Sequence, residues 1–333
     1  MEYFIKYLKI AVIGYGSIGK RHVRNLLDIK NIEIIICTKQ KIKNPNMKKI
    51  KIVKSMLECI EQKPDIGIIA NETNKHVKAA NELVKQGVDI FIEKPLSNST
   101  KDLKLLKKTI EKQNIISQMG CNFRFHPCII KMKEMVEKGQ IGKIIAVNAE
   151  SGSYLPDWHP YEDYRKGYAA RDDLGGGIVL TCIHEIDYLY WILGDVKEVF
   201  SVTGKFSKLE VTSDDMSAII LKFKNNVIGE LHLDYFQRPN FKSCKIRGEK
   251  GVIYWDSDHN EVKIHLTNKK RWKTVLKVGK YERNKMYVDE INHFLKCVKT
   301  RKPSINDIKE GIRTLEISLG IKKSSKLKKM IGV

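Results

Sequence analysis

A glycine-rich loop close to the start of the chain has the spacing of a dinucleotide-binding turn. Residues 8–22 read LKIAVIGYGSIGKRH, so a short apolar strand runs directly into the glycines and a helix follows them. In this setting Gly14 makes the tight turn, Gly16 lets the backbone approach a pyrophosphate, and Gly19 lets helix and strand pack closely. The helix N-terminus offers N–H groups and a partial positive charge to phosphates, whereas an ordinary strand–helix turn is the alternative interpretation. The predicted contacts with the dinucleotide are Gly14, Gly16, Ser17, Ile18 and Gly19.

The end of the second predicted strand bears on the choice between NAD and NADP. A carboxylate there would accept hydrogen bonds from the ribose 2′-hydroxyl, but residues 37–41 read CTKQK. The hydroxyl of Thr38 followed by Lys39 suits a 2′-phosphate, whose charge Lys39 or Lys41 could neutralise. Because lysine is abundant throughout the chain, an ordinary surface turn is the alternative. The residues predict NADP or NAD as the cofactor and favour NADP.

A second chemical signal is the tripeptide Glu93, Lys94 and Pro95, here called the lysine turn, which follows the fifth predicted strand. Pro95 ends the strand and stiffens the turn. The ammonium group of Lys94 could polarise a substrate hydroxyl or carbonyl, and Glu93 could fix that lysine or touch the cofactor ribose. A surface turn in a lysine-rich chain is the alternative.

The elements around these motifs predict a doubly wound domain over residues 1–121. The predicted strands are 8–13, 32–37, 50–53, 65–70, 88–92 and 115–119, and the predicted helices after the first one are 55–62, 74–86 and 100–113. Strands that are apolar throughout and alternate with amphipathic helices indicate a parallel sheet covered on both faces. Ligands of such sheets bind at the carboxyl ends of the strands, where the glycine loop and the lysine turn both lie.

The remaining residues, 122–333, predict a second α/β domain. The predicted strands are 144–151, 196–203, 216–223, 227–235, 241–247 and 252–255, and two helices are predicted at 285–298 and 307–318. Short polar turns such as residues 224–226 join several of these strands, which is typical of an antiparallel sheet.

The composition limits the classes of partner. The net charge of +22 comes from lysines spread over most of the chain, so a solvated basic surface is preferred and no nucleic-acid partner is expected, although an anionic substrate would suit it. No apolar stretch approaches the roughly 20 residues of a membrane span, and the start has no signal-peptide pattern, so we expect a cytoplasmic protein without a membrane contact. The seven cysteines are scattered without a CxxC pair, so we expect neither disulfides nor a metal site.

Five motifs occur in an order that resembles the glucose–fructose oxidoreductase / inositol dehydrogenase (Gfo/Idh/MocA) family. They are AVIGYGSIGKRH, IIANETNKH at 68–76, EKP at 93–95, QMGCNFRFHP at 118–127 and LGGGIVLTCIHEIDYLYWILG at 174–194. The resemblance implies an N-terminal Rossmann domain and a C-terminal domain with a large, open, mostly antiparallel sheet, whose last helix returns toward the first domain. It also implies a homodimer or homotetramer, because the open sheet face is commonly an oligomer interface in this family.

The resemblance further implies which residues act. Asn71, His76, Glu93 and Lys94 join the cofactor contacts, Lys94 supports the reaction, and His184 exchanges the hydroxyl proton of a sugar. Histidine suits this task because its ordinary pKa of about 6.5 lets it take and return a proton near neutrality. A core histidine is the alternative for His184.

One position departs from the family pattern. Many members carry an aspartate one helical turn before the histidine, where this chain has Thr181. A helix through residues 181–191 would place Thr181, His184 and Tyr188 on one face. The hydroxyl of Thr181 cannot act as a base, although a carboxylate nearby could compensate. The candidates for compensation are Asp172, Asp173, Glu185 and Asp187.

Residues 153–171, SYLPDWHPYEDYRKGYAAR, predict a loop over the substrate, because they combine aromatic and charged residues without helical or strand periodicity. An ordered structural loop is the alternative. The predicted substrate contacts are Arg124, Tyr154, Asp157, His159, Arg165, Thr181 and His184. The loop resembles a branch of the family associated with bacterial surface-sugar biosynthesis, which implies an amino or nucleotide sugar.

The sequence thus predicts an NAD(P)-dependent oxidoreductase that moves a hydride between the nicotinamide and a hydroxyl-bearing carbon of a sugar, amino sugar or nucleotide sugar. The alternative is a non-catalytic homologue that binds a dinucleotide and a sugar, in which Thr181 marks an impaired proton relay.

Overall fold

The computed structural model describes residues 7–42 and 50–333. The chain divides into two compact units. The first unit comprises the described part of Met1–Gly120 and also Tyr287–Ile312, and the second comprises Cys121–Met286 and Arg313–Val333.

This division differs from the predicted one in one long segment and at the boundary residue Cys121, which belongs to the second unit. The sequence analysis placed all of 122–333 in the second domain, whereas residues 287–312 belong to the first unit. The physical reason is burial, because Ile291, Phe294 and Cys297 lie in the hydrophobic core of the first unit.

A six-stranded parallel sheet forms the centre of the first unit. Its strands, β1 to β6 in chain order, are Leu8–Ile13, Ile32–Cys37, Ile50–Val53, Ile66–Ile69, Asp89–Glu93 and Ser117–Gly120. They lie in the order β3-β2-β1-β4-β5-β6, and neighbouring strands are parallel. This is the Rossmann order, which confirms the predicted doubly wound sheet. Since β1, β4 and β5 are neighbours, their carboxyl ends lie side by side.

Helices cover the sheet because its strands are apolar on both faces; Ile34, Ile35 and Ile36, for example, are all buried. The helices of the described residues, α1 to α9 in chain order, are Ser17–Leu27, Met56–Glu61, His76–Val84, Leu103–Gln113, Pro127–Glu137, Ile178–Thr181, Ile183–Leu193, Asn284–Thr300 and Ile308–Leu327. The helix α1 contributes Val23 and Leu26 to the core of the first unit.

A nine-stranded, mostly antiparallel sheet forms the second unit, as predicted. Its strands, β7 to β15, are Ile144–Gly152, Val196–Gly204, Met216–Phe223, Ile228–Asp234, Phe241–Gly248, Gly251–Asp256, Glu261–Leu266, Lys273–Lys277 and Ile331–Gly332. Their order is β14-β13-β12-β11-β7-β10-β9-β8-β15, in which β7 and β10 are parallel. The helices α5 and α7 pack on one face through residues such as Met132 and Leu189. The opposite face carries polar side chains, including the hydrogen-bonded Asn148, Glu230 and Arg247.

The helix predicted to run through 181–191 is wrong, because two helices meet there. The helix α6 ends at Thr181 and α7 begins at Ile183, since the backbone of Cys182 leaves the helical region with φ −94° and ψ 38°. Thr181 is therefore not one turn before His184 on a continuous helix.

None of the helices within 7–42 and 50–333 combines the length and apolar character needed to cross a membrane. In that same part of the chain, no group of three or more His, Cys, Asp or Glu residues could hold a metal ion. All seven cysteines are buried thiols.

Candidate functional site

The glycine loop has the geometry that a pyrophosphate needs. Gly14 has a φ of +98°, and a Cβ there would lie 2.7 Å from the carbonyl oxygen of Ala70. A Cβ at Gly19 would overlap the carbonyl oxygen of Gly14, which explains the close approach of α1 to the loop. A Cβ at Gly16, by contrast, would meet no described heavy atom within 4 Å. Gly16 is exposed at the N-terminus of α1, with open space for a ligand beside the first N–H groups of the helix.

The residues at the start of α1 add no charge that would repel a phosphate. Ser17 is exposed, Ile18 is half-buried, and the first turn contains no acidic residue. The sequence prediction of the phosphate contacts fits this geometry, because the loop, the helix N-terminus and the space beside Gly16 coincide.

The end of β2 presents one buried hydroxyl and two exposed lysines. Thr38 is buried, and its Oγ1 accepts a hydrogen bond from the backbone N–H of Gln40 at 3.2 Å. Lys39 and Lys41 are exposed. The backbone of Thr38 is also tied to β3, because its N–H donates to the carbonyl oxygen of Val53.

Asn71 follows β4 directly beside the glycine loop, since its backbone N would lie 2.7 Å from a Cβ at Gly14. The Oδ1 atom of Asn71 is buried and has no hydrogen-bond partner among the described residues. A buried amide oxygen without a donor is costly, so a ligand that donates a hydrogen bond would stabilise it. The predicted role of Asn71 in cofactor binding fits this unsatisfied acceptor.

His76, at the start of α3, joins the loops that follow β4 and β5. Its Nδ1 lies 2.9 Å from the carbonyl oxygen of Pro95, and its Nε2 lies 3.0 Å from the carbonyl oxygen of Asn71. Burial lowers the pKa of His76, while the two carbonyl oxygens oppose that shift. The ring is only 1% exposed, so it supports the loops and does not present a face for a ligand.

The lysine turn is held from the side of α1. The carboxylate of Glu93 is buried, and its Oε1 lies 2.7 Å from Nε2 of His22. Lys94 is half-buried, and the peptide bond between Lys94 and Pro95 is cis. Sequence reasoning assigned Glu93 to the cofactor and did not include His22, because no local pattern links residues 71 positions apart.

In the second unit, His184 lies on α7 in an aromatic and charged environment. Its ring is half-buried, with its centroid 5.1 Å from that of Phe123. The ammonium of Lys242 lies 5.2 Å from the centroid of the same Phe123 ring. It also lies 2.5 Å from Oε1 of Glu185 and donates a hydrogen bond to Oγ of Ser151. Lys242 was missed by the sequence analysis, since it is one of three basic residues on a predicted strand and no motif distinguishes it.

The carboxylates considered as substitutes for the missing aspartate each have a cationic partner. Asp187 accepts two hydrogen bonds, at 2.8 and 2.9 Å, from the buried guanidinium of Arg124. The other three pairs are Glu185 with Lys242, Asp172 with Lys322 and Asp173 with Arg171. Arg124 thus holds α7 in place through Asp187. Its side chain is 0% exposed, so the structure does not present it to a substrate as the sequence analysis predicted.

Thr181 faces the core of the second unit. It is 3% exposed, and its side chain lies close to the hydroxyl of Tyr235, whose own pKa is raised by burial. The hydroxyl of Tyr235 also donates to the carbonyl oxygen of Ala169 at 3.4 Å. The structure therefore places Thr181 in a buried polar contact.

The predicted substrate loop, residues 153–171, contains three short 3-10 helices, at Leu155–Trp158, Tyr164–Lys166 and Tyr168–Ala170, and a fourth, Asp172–Leu174, follows it. Its Trp158 packs perpendicular to Tyr235 and donates to Oγ of Ser153 at 2.8 Å, which anchors the start of the loop. Half-buried Tyr154 lies 3.8 Å under the guanidinium of Arg238.

The charged and titratable residues of this loop differ in the contacts that they already make with other side chains. Asp157 is exposed, and Nδ1 of His159 lies 3.1 Å from the hydroxyl of Tyr161. Arg165 pairs with Asp163 and Glu210 at 2.8 and 3.2 Å. These contacts fit an ordered loop, and the substrate contacts stay predictions.

Together, the Rossmann sheet, the open glycine loop and the lysine turn define a dinucleotide-binding oxidoreductase. Two family models cover most of the chain: an oxidoreductase family with an NAD-binding Rossmann fold matches residues 8–121, and a GFO/IDH/MocA C-terminal domain matches residues 129–254. The chain belongs to the Gfo/Idh/MocA family, as the five motifs predicted.

Relatives of known name align over nearly the whole chain. Myo-inositol 2-dehydrogenase of Thermotoga maritima is 28% identical, with 98% of this chain and 100% of the relative covered. The scyllo-inositol 2-dehydrogenase (NAD(+)) of Bacillus subtilis is 24% identical, with 94% and 92% covered. A levoglucosan dehydrogenase in complex with NADH has the same fold, with a TM-score of 0.84, 18% identity, and 98% and 99% of the two chains covered.

The family model describes an NAD-binding domain, and none of these comparisons supports the NADP preference that the sequence analysis favoured. Lys39 and Lys41, the lysines that favoured NADP, are exposed side chains in a lysine-rich chain.

Proposed function

We propose that the chain is an NAD(H)-dependent oxidoreductase acting on a hydroxyl-bearing carbon of a sugar or a cyclic polyol. The observation that carries the proposal is the alignment of three neighbouring strands in one parallel sheet: β1, β4 and β5 end in Gly14, Asn71 and the lysine turn. Ligands of such sheets bind at these carboxyl ends. The names of the inositol and levoglucosan dehydrogenases support the substrate class.

The glycine loop would hold the pyrophosphate through backbone N–H groups at Gly16 and Ser17, and the unsatisfied Oδ1 of Asn71 would accept a hydrogen bond from the cofactor. When bound, the nicotinamide supplies the donor or acceptor of a hydride. Lys94 would donate a hydrogen bond to the substrate oxygen and stabilise the negative charge that develops there. An imidazole nitrogen of His184 would take the hydroxyl proton in oxidation and return it in reduction.

The test separates binding from chemistry. In wild-type protein we expect NADH to bind, measured by fluorescence titration, and a polyol or sugar to be turned over. In His184→Ala we expect turnover to be lost while NADH affinity changes less than about twofold, because removal of a general base costs roughly 10²–10⁴-fold in rate. Loss of NADH affinity in His184→Ala would instead identify a structural residue.

Comparative measurements are needed to identify the preferred cofactor and the substrate. The proposal expects NADH to bind more tightly than NADPH; a reversed preference that Lys39→Ala or Lys41→Ala weakens would place a 2′-phosphate at the end of β2. The substrate panel includes an amino sugar and a nucleotide sugar, as the resemblance to surface-glycan enzymes suggests. The predicted homodimer or homotetramer is measured by light scattering.

A non-catalytic dinucleotide- and sugar-binding homologue is the second candidate. The specific observation in its favour is that Thr181 is buried against Tyr235, while the four carboxylates considered as substitutes for an aspartate there are paired with cations. This candidate predicts NADH binding without turnover.

A further inference from the structure

Two buried histidines flank the lysine turn in the first unit. His22 lies on α1, six residues after Gly16, and His76 lies at the start of α3. Their exposed fractions are 0% and 1%. Neither ring is therefore available to a ligand, and their effect on the site must pass through the residues that they contact.

His22 holds the side chain of Glu93. Its Nε2 and the Oε1 of Glu93 are 2.7 Å apart, a hydrogen-bond distance between two buried side chains. The ring of His22 also packs edge-on against Phe91, which precedes Glu93 by two residues on β5, and the two ring centroids are 5.2 Å apart. These two contacts fix the imidazole relative to the strand that ends in the lysine turn.

The carboxylate of Glu93 is confined from the side of β6 as well. Glu93 lies opposite Gly120 in the β5–β6 register, and a Cβ at Gly120 would lie 3.0 Å from the carboxyl group. The missing side chain at Gly120 therefore leaves the space that the carboxylate occupies. A buried carboxylate held in this way has one preferred position.

His76 holds the backbone on the other side of Lys94. Its two ring nitrogens lie 2.9 Å from the carbonyl oxygen of Pro95 and 3.0 Å from that of Asn71. A neutral imidazole has one N–H, so the ring donates to one of these carbonyl oxygens and packs against the other; it thus fills the space between the turn after β5 and the loop after β4, which adjoins Gly14. Lys94 therefore lies between the side chain of Glu93, which contacts His22, and the carbonyl of Pro95, which contacts His76.

We propose that His22 and His76 are positioning residues that fix the lysine turn from both sides and so preorganise the ammonium of Lys94 for the reaction. This inference rests on the proposed function of Lys94. A lysine side chain loses much rotamer freedom when it is held in one place, and a support that fixes its backbone removes part of that cost from the reacting complex.

The decisive experiment is a double-mutant cycle between His22 and Lys94. We expect His22→Ala to lower kcat by roughly tenfold or more with NADH affinity within about twofold, and to change kcat less than about twofold in the Lys94→Ala background. His22→Gln, which keeps a donor for Glu93, should restore most of the rate. His293→Gln, a half-buried histidine on α8 that contacts Cys297, is the matched control and should leave kcat unchanged.

A second readout uses the protein without cofactor or substrate. The rate at which an amine-reactive reagent acylates Lys94, followed by mass spectrometry, should rise in His22→Ala and in His76→Ala and stay at the wild-type value in His293→Gln. If His22→Ala does not fold, Gly120→Ala displaces the carboxylate of Glu93 from the opposite side and replaces it in both measurements.

The outcomes separate this inference from the function on which it rests. An equal loss of kcat in both backgrounds, or an unchanged acylation rate, overturns the positioning role and leaves His22 a structural residue. If Lys94→Ala retains wild-type kcat, the proposed function of Lys94 is wrong, while a raised acylation rate would still show that the histidines fix the turn.

Discussion

The ammonium of Lys242 lies 2.5 Å from Oε1 of Glu185, the residue that follows His184 on α7. Glu185 is fully buried, and its Oε2 has no hydrogen-bond partner among the described residues. A buried carboxylate is costly unless a cation compensates it. The charge beside His184 is thus balanced by a lysine from β11, and Glu185 is not free to compensate for Thr181.

This pair gives the first prediction. Lys242→Met leaves Glu185 buried without its cation and should lower the free energy of unfolding by about 3 kcal/mol. The double variant Lys242→Met/Glu185→Gln should recover most of that loss, because the neutral amide needs no counter-charge. Urea unfolding measures both, with Lys245→Met on the same strand as control. Equal losses in the single and double variants would show that the pair does not compensate Glu185.

The second prediction concerns Thr181, where the family resemblance implies that many members carry an aspartate. Thr181→Asp buries a carboxylate against the hydroxyl of Tyr235, so we expect a loss of stability of at least about 2 kcal/mol. Thr181→Val, which removes only the hydroxyl, should cost about 1 kcal/mol. Both are measured by denaturant unfolding, together with turnover. A fully stable Thr181→Asp would contradict the burial of this position, and a large gain in turnover would indicate a decayed proton relay.

The third prediction is a pH dependence from His126, the N-cap of α5. Burial lowers the pKa of His126 from 6.5 to about 4, and its Nδ1 accepts a hydrogen bond from the N–H of Cys128. Between pH 6.5 and about 4, His126 therefore binds a proton in the unfolded chain but not in the folded chain. Stability should be complete above pH 6.5 and should fall by about 3 kcal/mol as the pH drops through this window.

His126→Asn is the matching variant, because asparagine keeps an acceptor for the cap and does not titrate. We expect its stability to fall less steeply between pH 6.5 and about 4 than that of the wild type. Urea midpoints at several pH values test this, and parallel curves for the two proteins would assign the acid sensitivity to other groups.

The fourth prediction contrasts two glycines of the same loop. Gly16→Ala adds a methyl group to open space and should leave the melting temperature within a few degrees, while NADH affinity falls by roughly tenfold because the backbone is held away from the pyrophosphate. In Gly19→Ala the added methyl group would collide with the carbonyl oxygen of Gly14, so both the melting temperature and the NADH affinity should fall. Fluorescence titration and thermal melting provide the data. Unchanged NADH affinity in Gly16→Ala would place the phosphates elsewhere.

Much of the fold could be predicted because it follows from local pattern. The strands 8–13, 32–37 and 50–53 are observed at their predicted bounds, since each is a short apolar run between polar turns. The strand Lys273–Lys277 was missed because lysines begin and end it and it lies at an edge of the sheet, and its neighbour Glu261–Leu266 was missed although it alternates polar and buried apolar residues. The helix Pro127–Glu137 was also missed, although Pro127 is a good first residue for a helix.

The site was only partly predictable for a different reason. The glycine loop carries its function in its own spacing, whereas the contacts of His22 with Glu93 and of Lys242 with Glu185 join residues 71 and 57 positions apart. The break at Cys182 likewise depends on tertiary packing, because the sequence around Thr181 is compatible with a continuous helix. Such pairs become visible only when the fold brings them together.

The most direct test of the proposed oxidoreductase is the initial rate of NAD+ reduction, followed by absorbance, across a panel of polyols and sugars. The panel contains myo-inositol, scyllo-inositol, levoglucosan, an amino sugar and a nucleotide sugar, of which the first three come from the relatives' names. We predict reduction with at least one of them, lost in both Lys94→Ala and His184→Ala while NADH binding persists. Protein that binds NADH but reduces NAD+ with none of these compounds would contradict the account and favour the non-catalytic homologue.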